Sequence, residues 1–278
     1  MADNSELAAP IATASALGTA RTVRSITLPA ITAVALTVLL ALLVLWLIPA
    51  WQGWPLGAHL QRWLPALLWG MLSNIQISVL AIAIGTVAGL FVGALQLSPL
   101  APVARLARWY VQVFRNAPML ILIYFSTYVF PFELHLGSHY VAFPDWIKVT
   151  LGLALPASAN VAEIFRGAIG SIPSAQWEAA ALLGLRRSQA YRWVILPQCL
   201  RRMLPPWMNL YATITMGTAL ASLVGVKDLL DTAQIASSTV NRVDFTVAVY
   251  FLTLLLFFLY CYPISRLTQY LEKKHAFH

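Results

Sequence analysis

The chain has 278 residues, of which 60% are hydrophobic and only 10% are charged, and its mean hydropathy is +0.74. Because soluble domains carry about 25% charged residues, this composition excludes an ordinary soluble protein and predicts an all-α integral membrane protein. The formal charge of +8 is spread over separate loops rather than gathered on one face, so we expect the lipid bilayer, and no nucleic acid, as a partner. Two cysteines, Cys199 and Cys261, do not indicate a disulfide framework, and the histidines show no metal-ligand spacing.

The first 50 residues divide into a polar tail and one apolar run. Residues 1–27 are rich in alanine, serine and threonine, and they carry Asp3 and Glu6 where a signal peptide would carry positive charge. We therefore expect a disordered cytoplasmic tail. Residues 28–50 are long enough, at about 1.5 Å per residue, to cross a hydrocarbon core of about 30 Å, and they are the predicted first transmembrane helix.

Five further spans are predicted, at about residues 67–97, 104–131, 146–169, 204–226 and 245–267. The first of these carries Gly85, Gly89 and Gly93 at four-residue intervals, a pattern that lets a neighbouring helix pack backbone to backbone. Pro205 and Pro206 are predicted to open the span at 204–226, because proline in the first helical turn sacrifices no hydrogen bond. Since the sequence shows no strand pattern and no soluble domain, we predict about six transmembrane helices.

The basic residues predict the orientation of these spans. Six spans place both termini on one side of the membrane. If that side is the cytoplasm, thirteen of the 18 lysines and arginines lie inside, four lie outside (Arg62, Lys148, Lys227 and Arg242), and Arg115 lies inside or near the membrane. Because cytoplasmic loops carry an excess of lysine and arginine, we expect both termini in the cytoplasm.

Residues 174–197, called the elbow below, form a charged segment between apolar spans and so belong in water, on the cytoplasmic side. We expect two short helices here. Ser174 can cap the first and Gly184 ends it, while Ser188 can cap the second before Leu196-Pro197 ends it. Small residues leave a low-relief surface on which another protein could approach closely: Ala179, Ala180, Ala181 and Gly184.

Polar groups inside spans are costly and are therefore candidates for a substrate path. Arg115 could face a water-filled path and attract a carboxylate, or it could reach the lipid headgroups. Glu163 could pair with Arg166 along its own helix, or across to Arg115. Gln76 and a stripe of hydroxyl groups on the fifth span could either line the path or join helices: Tyr211, Thr215, Thr218 and Ser222.

The sequence lacks the GxxxxGK[ST] loop that binds nucleotide phosphates. We therefore expect this chain to bind no cofactor, and its energy to come from another chain or from an ion gradient. An ion-driven secondary transporter would show two related halves or broken helices. A membrane-embedded enzyme would need a cluster of acid, base, nucleophile or metal ligands inside the spans. Neither pattern stands out in the sequence.

The elbow also resembles a known sequence pattern. Glu178-Ala179-Ala180, three residues, Gly184, nine residues and then Val194-Ile195-Leu196-Pro197 are similar to the EAA loop of ABC-importer permease subunits. In that family the loop docks into a groove on a cytoplasmic ATPase. The resemblance implies that this chain docks an ATPase through Glu178, Ala179, Ala180, Gly184, Leu196 and Pro197.

Further motifs look like those of the polar amino acid subfamily of these permeases: Asn74-Ile75-Gln76-Ile77-Ser78, Phe114-Arg115-Asn116-Ala117-Pro118 and Ala162-Glu163-Ile164-Phe165-Arg166-Gly167. The resemblance covers about residues 67–274 and implies a type I transmembrane domain of five helices in a bacterial inner membrane. It implies import of a solute such as histidine, glutamine, glutamate or an opine. Where many relatives carry lysine followed by aspartate or serine, this chain has Met216-Gly217, and Gly217 would leave more room beside a solute.

The same resemblance implies the partners of the chain. They are an ATPase dimer that uses the ATP, a second permease subunit that is identical or paralogous, and a periplasmic or tethered solute-binding protein.

Overall fold

The computed structural model describes residues 56–136 and 139–275. The predicted tail at 1–27 and the predicted first span at 28–50 lie outside the described residues. The described part of the chain contains nine α-helices, which we number in chain order: α1 (Leu56–Gln96), α2 (Ala101–Asn116), α3 (Met119–Val129), α4 (Asp145–Gly170), α5 (Ser174–Leu182), α6 (Arg187–Ala190), α7 (Leu196–Gly217), α8 (Leu229–Val240) and α9 (Val243–His275). A π-helical turn (Tyr191–Ile195) joins α6 to α7, and a 3₁₀ segment (Thr218–Val224) extends α7.

Three of these helices are long and apolar enough to cross a membrane: α1, α4 and α9 over Val243–Leu271. The segment Arg187–Val224 and α8 are bent by 48° to each other and make a fourth span if they are counted together. The predicted all-α membrane fold is confirmed, and the predicted span at 146–169 matches α4 closely.

The predicted span at 104–131 is wrong as a single helix. It is divided between α2 and α3, and α3 is apolar but only 11 residues long. The physical reason is Pro118, which disfavours helical backbone at the residue before it. Ala117 is accordingly extended, with φ −73° and ψ 133°, and Pro118 takes the N-cap position of α3.

The predicted start of the span at 204–226 is also wrong. The helix begins at Leu196, so Pro205 and Pro206 lie inside α7 rather than in its first turn. Pro197 is the proline near the start of α7, directly after the π-helical turn.

Two elements were not predicted at all. Strands β1 (Glu133–Leu136) and β2 (His139–Ala142) pair antiparallel in the loop before α4, so the expectation of no strand is wrong for this segment. The helix α8 follows the 3₁₀ segment and has Asp228 as its N-cap, whose carboxylate accepts a hydrogen bond from the amide of Asp231. That cap starts a helix in a stretch that the sequence placed in a loop.

Helix α4 lies at the centre of the bundle, in contact with α2, α3 and α7. The three glycines of α1 face it. A Cβ atom at Gly85 would lie 2.6 Å from the Cβ of Ala157, and one at Gly89 would lie 2.5 Å from the carbonyl oxygen of Ser158. At Gly93 it would lie 2.8 Å from the ring of Phe165. Since real Cβ atoms do not approach so closely, α1 and α4 can hold this spacing only with glycine at Gly85 and Gly89, and a side chain at Gly93 would have to displace the Phe165 ring.

Candidate functional site

The elbow contains a short helix that ends at a left-handed glycine. The amide of Gly184 donates to the carbonyl of Ala181 at 2.9 Å, and the amide of Leu185 donates to the carbonyl of Ala180 at 3.1 Å. These two bonds form a Schellman motif, in which the residue after the C-cap is left-handed. Gly184 has φ +72°, which glycine adopts without steric cost. The prediction that Gly184 ends the first helix is confirmed.

Other predicted boundaries of the elbow are wrong. Pro173, not Ser174, is the N-cap of α5, because its extended backbone immediately precedes the helix. Ser188 lies inside the four-residue α6 rather than before it. Leu196 and Pro197 do not end the second helix, since they are the first two residues of α7.

The tip of the elbow is exposed and apolar. Leu182 is 89% exposed and Leu183 is 78% exposed, and the neighbouring Glu178 and Ala179 are also exposed. Ala180 is only 2% exposed. It therefore lies inside the elbow and does not form part of the low-relief outer surface that the sequence suggested.

The inner side of the elbow is held by aromatic and aliphatic contacts. The rings of Trp177 and Tyr191 meet edge to face with their centres 4.8 Å apart. Beside them α5 and α6 enclose a groove of about 480 Å³. Below it a buried cluster ties the elbow to the ends of α4 and α7: Ala168, Ile169, Ile172, Ile195, Cys199 and Met203. The exposed tip is thus carried on a packed base.

Within the helices, Glu163 contacts two arginines. Nε of Arg166 donates to one carboxylate oxygen of Glu163 at 3.1 Å, and Nη1 of Arg115 lies 4.0 Å from the other. Both pairings that the sequence left open are therefore present. Glu163 and Arg166 both lie on α4, so it is the contact with Arg115 that joins α2 to α4.

The four hydroxyl residues of the predicted stripe do not share one regular helix, since α7 ends before Thr218. Thr215 and Thr218 are fully buried. Thr215, Thr218 and Ser222 donate to carbonyl groups three or four residues earlier in the chain. Tyr211 instead bonds the hydroxyl of Tyr260, which connects α7 to α9. In this conformation these groups are occupied by bonds within and between helices.

Two further predicted positions differ in accessibility. Gln76 is exposed and lines a cavity of about 440 Å³. The space beside Gly217, in contrast, is filled, because a Cβ atom there would overlap the sulfur of Met119 and come within 3.6 Å of Leu153. The room that the sequence predicted at Gly217 is therefore occupied by the first residue of α3.

A buried polar network centred on Asn74 escaped the sequence analysis. The Asn74 side chain donates to Oγ1 of Thr218 at 3.0 Å and to Oδ2 of Asp228 at 3.2 Å, and it accepts from the amide of Leu229 at 2.9 Å. Asn74, Thr218 and Asp228 are fully buried. We call these four residues the Asn74 network. It fixes the start of α8 and the 3₁₀ segment to α1. The sequence does show Asn74 as a polar residue near the start of a predicted span, but nothing near Asp228 in the sequence indicates burial.

Several apolar helices that are long enough to cross a membrane define a multi-pass membrane protein. Comparison with known sequences specifies the class. Residues 85–276 match the model of the family described as "Binding-protein-dependent transport system inner membrane component". The chain belongs to this family, and it is a permease subunit of an ABC importer rather than an enzyme or an ion-driven transporter.

Individual relatives agree with this assignment. The chain is 32% identical, over 76% of its length and 90% of the relative's, to a probable amino-acid ABC transporter permease protein, YckA, of Bacillus subtilis. It is 28% identical, over 80% of its length and 99% of the relative's, to a probable glutamine ABC transporter permease protein, GlnP, of the same organism. Among solved structures, an amino acid ABC transporter crystallised with histidines superimposes with a TM-score of 0.68 at 26% identity, covering 77% of this chain and 96% of that one.

Proposed function

We propose that this subunit carries a polar amino acid across a bacterial inner membrane, with both termini in the cytoplasm. The names of the relatives support the solute class, and the distribution of lysine and arginine supports the orientation. A solute-binding protein supplies the amino acid on the outer side. A second permease subunit, identical or paralogous, forms the other wall of the path, and a separate ATPase dimer uses the ATP.

The observation that carries this proposal is the exposed pair Leu182-Leu183 beside a left-handed glycine. Two adjacent leucines in water gain free energy when a partner covers them. The Schellman motif and the buried cluster beneath the elbow fix the position of Leu182 and Leu183. A partner that binds these leucines can therefore move the helices attached to the elbow. We assign ATPase docking to Glu178, Ala179, Leu182 and Leu183, while Gly184 shapes the tip and Leu196 and Pro197 start the helix that it moves.

Along the path, Glu163 and its two arginines are placed to hold α2 against α4, and they give the wall a charged surface that an amino acid can meet. The hydroxyl groups of Tyr211, Thr215 and Thr218 serve chiefly to join or stabilise helices in this conformation. An outward or inward swing of α7 would have to exchange the Tyr211 contact with α9. ATP binding drives such a swing only if it favours one arrangement over the other.

The test compares two glycines that both have open space around them. Gly184 is left-handed, whereas Gly170, at the end of α4, is not, and a Cβ atom added to either would meet no other atom within 4 Å. A non-glycine residue in left-handed backbone costs about 1–2 kcal/mol, which corresponds to a shift of about 5- to 30-fold in the population of the present loop conformation. The substitution therefore perturbs the elbow by conformation and not by collision.

The measurement is ATP-driven amino acid uptake by proteoliposomes that contain the complete transporter. We expect Gly184→Ala to reach the membrane in normal amount but to lower uptake per ATP hydrolysed by at least fivefold, and Gly170→Ala to behave as wild type. Equal coupling in the two variants would remove the elbow from the mechanism.

A further inference from the structure

The cavity beside Gln76 lies where α1, the start of α4 and the turn before α8 come together. Its volume is about 440 Å³. Helix α4 begins at this cavity with Asp145 and ends at Gly170, next to the elbow. Since 26 helical residues span about 39 Å, the cavity and the elbow lie at opposite ends of the membrane-crossing helix.

The residues that line this cavity include hydrogen-bond donors that no other described residue uses. Lys227 is exposed and lines the cavity, and within the described part of the chain no carboxylate lies at ion-pair distance from its ammonium group. Gln76 is likewise exposed, and its side-chain amide makes no hydrogen bond to any described residue. An ammonium group and an amide that line one cavity are suited to a carboxylate.

The backbone that carries Lys227 is fixed on both sides. Val226 is buried, and its amide donates to the carbonyl of Ala221 at 3.3 Å. Asp228 is fully buried, and the Asn74 network bonds both its side chain and the next amide to α1. Lys227 therefore projects from a rigid turn rather than from a loose loop, and a ligand need not order this backbone on binding.

The lining of the cavity also includes a negative charge and an aromatic ring. The carboxylate of Asp145 is 37% exposed and accepts a hydrogen bond at 3.0 Å from Lys148, which is fully buried. A carboxylate has about four acceptor positions, so Asp145 can accept from a second ammonium group that arrives in the cavity. Trp146 follows Asp145 in the chain and lines the same cavity, where its ring can cover the apolar part of a ligand.

We propose that this cavity is a loading site for a free α-amino acid. The α-carboxylate binds Lys227 and Gln76, the α-ammonium group binds Asp145, and the side chain lies against Trp146. Recognition of the two groups that all amino acids share makes the site a general receiver, which leaves discrimination among side chains to other contacts. The inference rests on the proposed function, because it takes the solute to be an amino acid and the elbow to be cytoplasmic. It adds Asp145 and Lys227, which the sequence analysis did not place on the path.

The test uses the complete transporter in proteoliposomes with a saturating amount of loaded binding protein. Uptake of radiolabelled L-glutamine, L-glutamate, L-histidine and L-arginine is measured separately for wild type, Lys227→Gln and Gln76→Ala. The matched control is Arg62→Gln. Arg62 is also an exposed cation, but it lies on α1, 14 residues before Gln76. Asp145 is left intact because its removal would strand the buried Lys148 ammonium group. The affinity of the binding protein for the transporter is measured in parallel.

We expect Lys227→Gln to lower uptake of the transported amino acid about tenfold, as loss of one charge-assisted hydrogen bond predicts. Gln76→Ala should lower it less, and Arg62→Gln should leave it unchanged, with the affinity for the binding protein the same in all four proteins. Equal uptake by Lys227→Gln and Arg62→Gln would overturn the loading site while leaving the proposed function in place. A loss of uptake that follows a loss of binding-protein affinity would overturn it too, because the cavity would then be a docking face. If the wild type takes up none of the four, the panel is extended to the remaining amino acids, and failure to take up any of them would remove the proposed function, and the site with it.

Discussion

Replacement of Asn74 by alanine tests whether a buried polar network fixes the start of α8 to α1. Asn74 makes one bond each to Thr218, Asp228 and the amide of Leu229. Alanine removes all three and leaves the Asp228 carboxylate and the Leu229 amide buried with one partner fewer. The side chain that is lost is fully buried, so water cannot simply take its place.

The expected magnitude follows from measured bonds between membrane helices, which average about 0.6 kcal/mol and reach about 1.7 kcal/mol. Three such bonds predict a loss of about 2 kcal/mol in the free energy of unfolding, with an upper bound of about 5 kcal/mol. The matched control is Ser73→Ala. The hydroxyl of Ser73 bonds only the carbonyl of Trp69 in its own helix, at 3.3 Å, and its loss should change stability by less than about 0.5 kcal/mol.

Two assays separate a global effect from a local one. Unfolding by sodium dodecyl sulfate in mixed micelles gives the free energy of unfolding for both variants. Hydrogen exchange then shows where protection is lost: we expect faster exchange at Leu229 and Thr232 in Asn74→Ala, and no change at Gly89. If Asn74→Ala unfolds with the same free energy as Ser73→Ala and retains protection at Leu229, the network does not hold α8 in place.

Two further predictions concern packing and buried charge. Gly89→Ala should lower the free energy of unfolding by about 1–3 kcal/mol, since overpacking must separate α1 from α4. The control Gly57→Ala, at a glycine with open space around it, should leave the stability unchanged. Equal stability of the two variants would contradict the close contact. Asp145→Asn should cost about 3–5 kcal/mol because it leaves a buried ammonium group without its carboxylate. Lys148→Met should lower the free energy of unfolding much less, since the partly exposed Asp145 can be hydrated. Thermal unfolding of the two variants in detergent measures this difference. A less stable Lys148→Met than Asp145→Asn would contradict the reasoning.

The features that could be predicted from the sequence are those fixed by local pattern. The predicted span at 146–169 is a continuous apolar run and corresponds to α4. The four-residue spacing of Gly85, Gly89 and Gly93 is by itself enough to indicate a close helix contact. Gly184 was identified as a helix end because glycine is the residue that most readily continues the chain in left-handed backbone. The family was recognisable because the elbow places several residues at fixed intervals.

The features that were missed depend on distant parts of the chain or on competing local signals. Asp228 caps α8 and is buried only because Asn74, far away in sequence, comes to meet it. Pro205 and Pro206 lie inside a helix, an arrangement that membrane helices tolerate when neighbouring groups satisfy the freed backbone. Pro118 does indicate a helix break at the preceding residue, but the apolar residues on both sides of it favour one continuous span.

The contact between the elbow and an ATPase is the central claim, and the affinity of the purified permease for its ATPase subunit tests it most directly. We expect the double variant Leu182→Ser, Leu183→Ser to assemble in the membrane and to bind the ATPase at least tenfold more weakly, because burial of each leucine contributes about 1.5–3 kcal/mol. The control is Leu68→Ser, Leu72→Ser, two leucines of α1 that are each 49% exposed, and it should bind as wild type does. Wild-type affinity in the elbow variant would contradict the account.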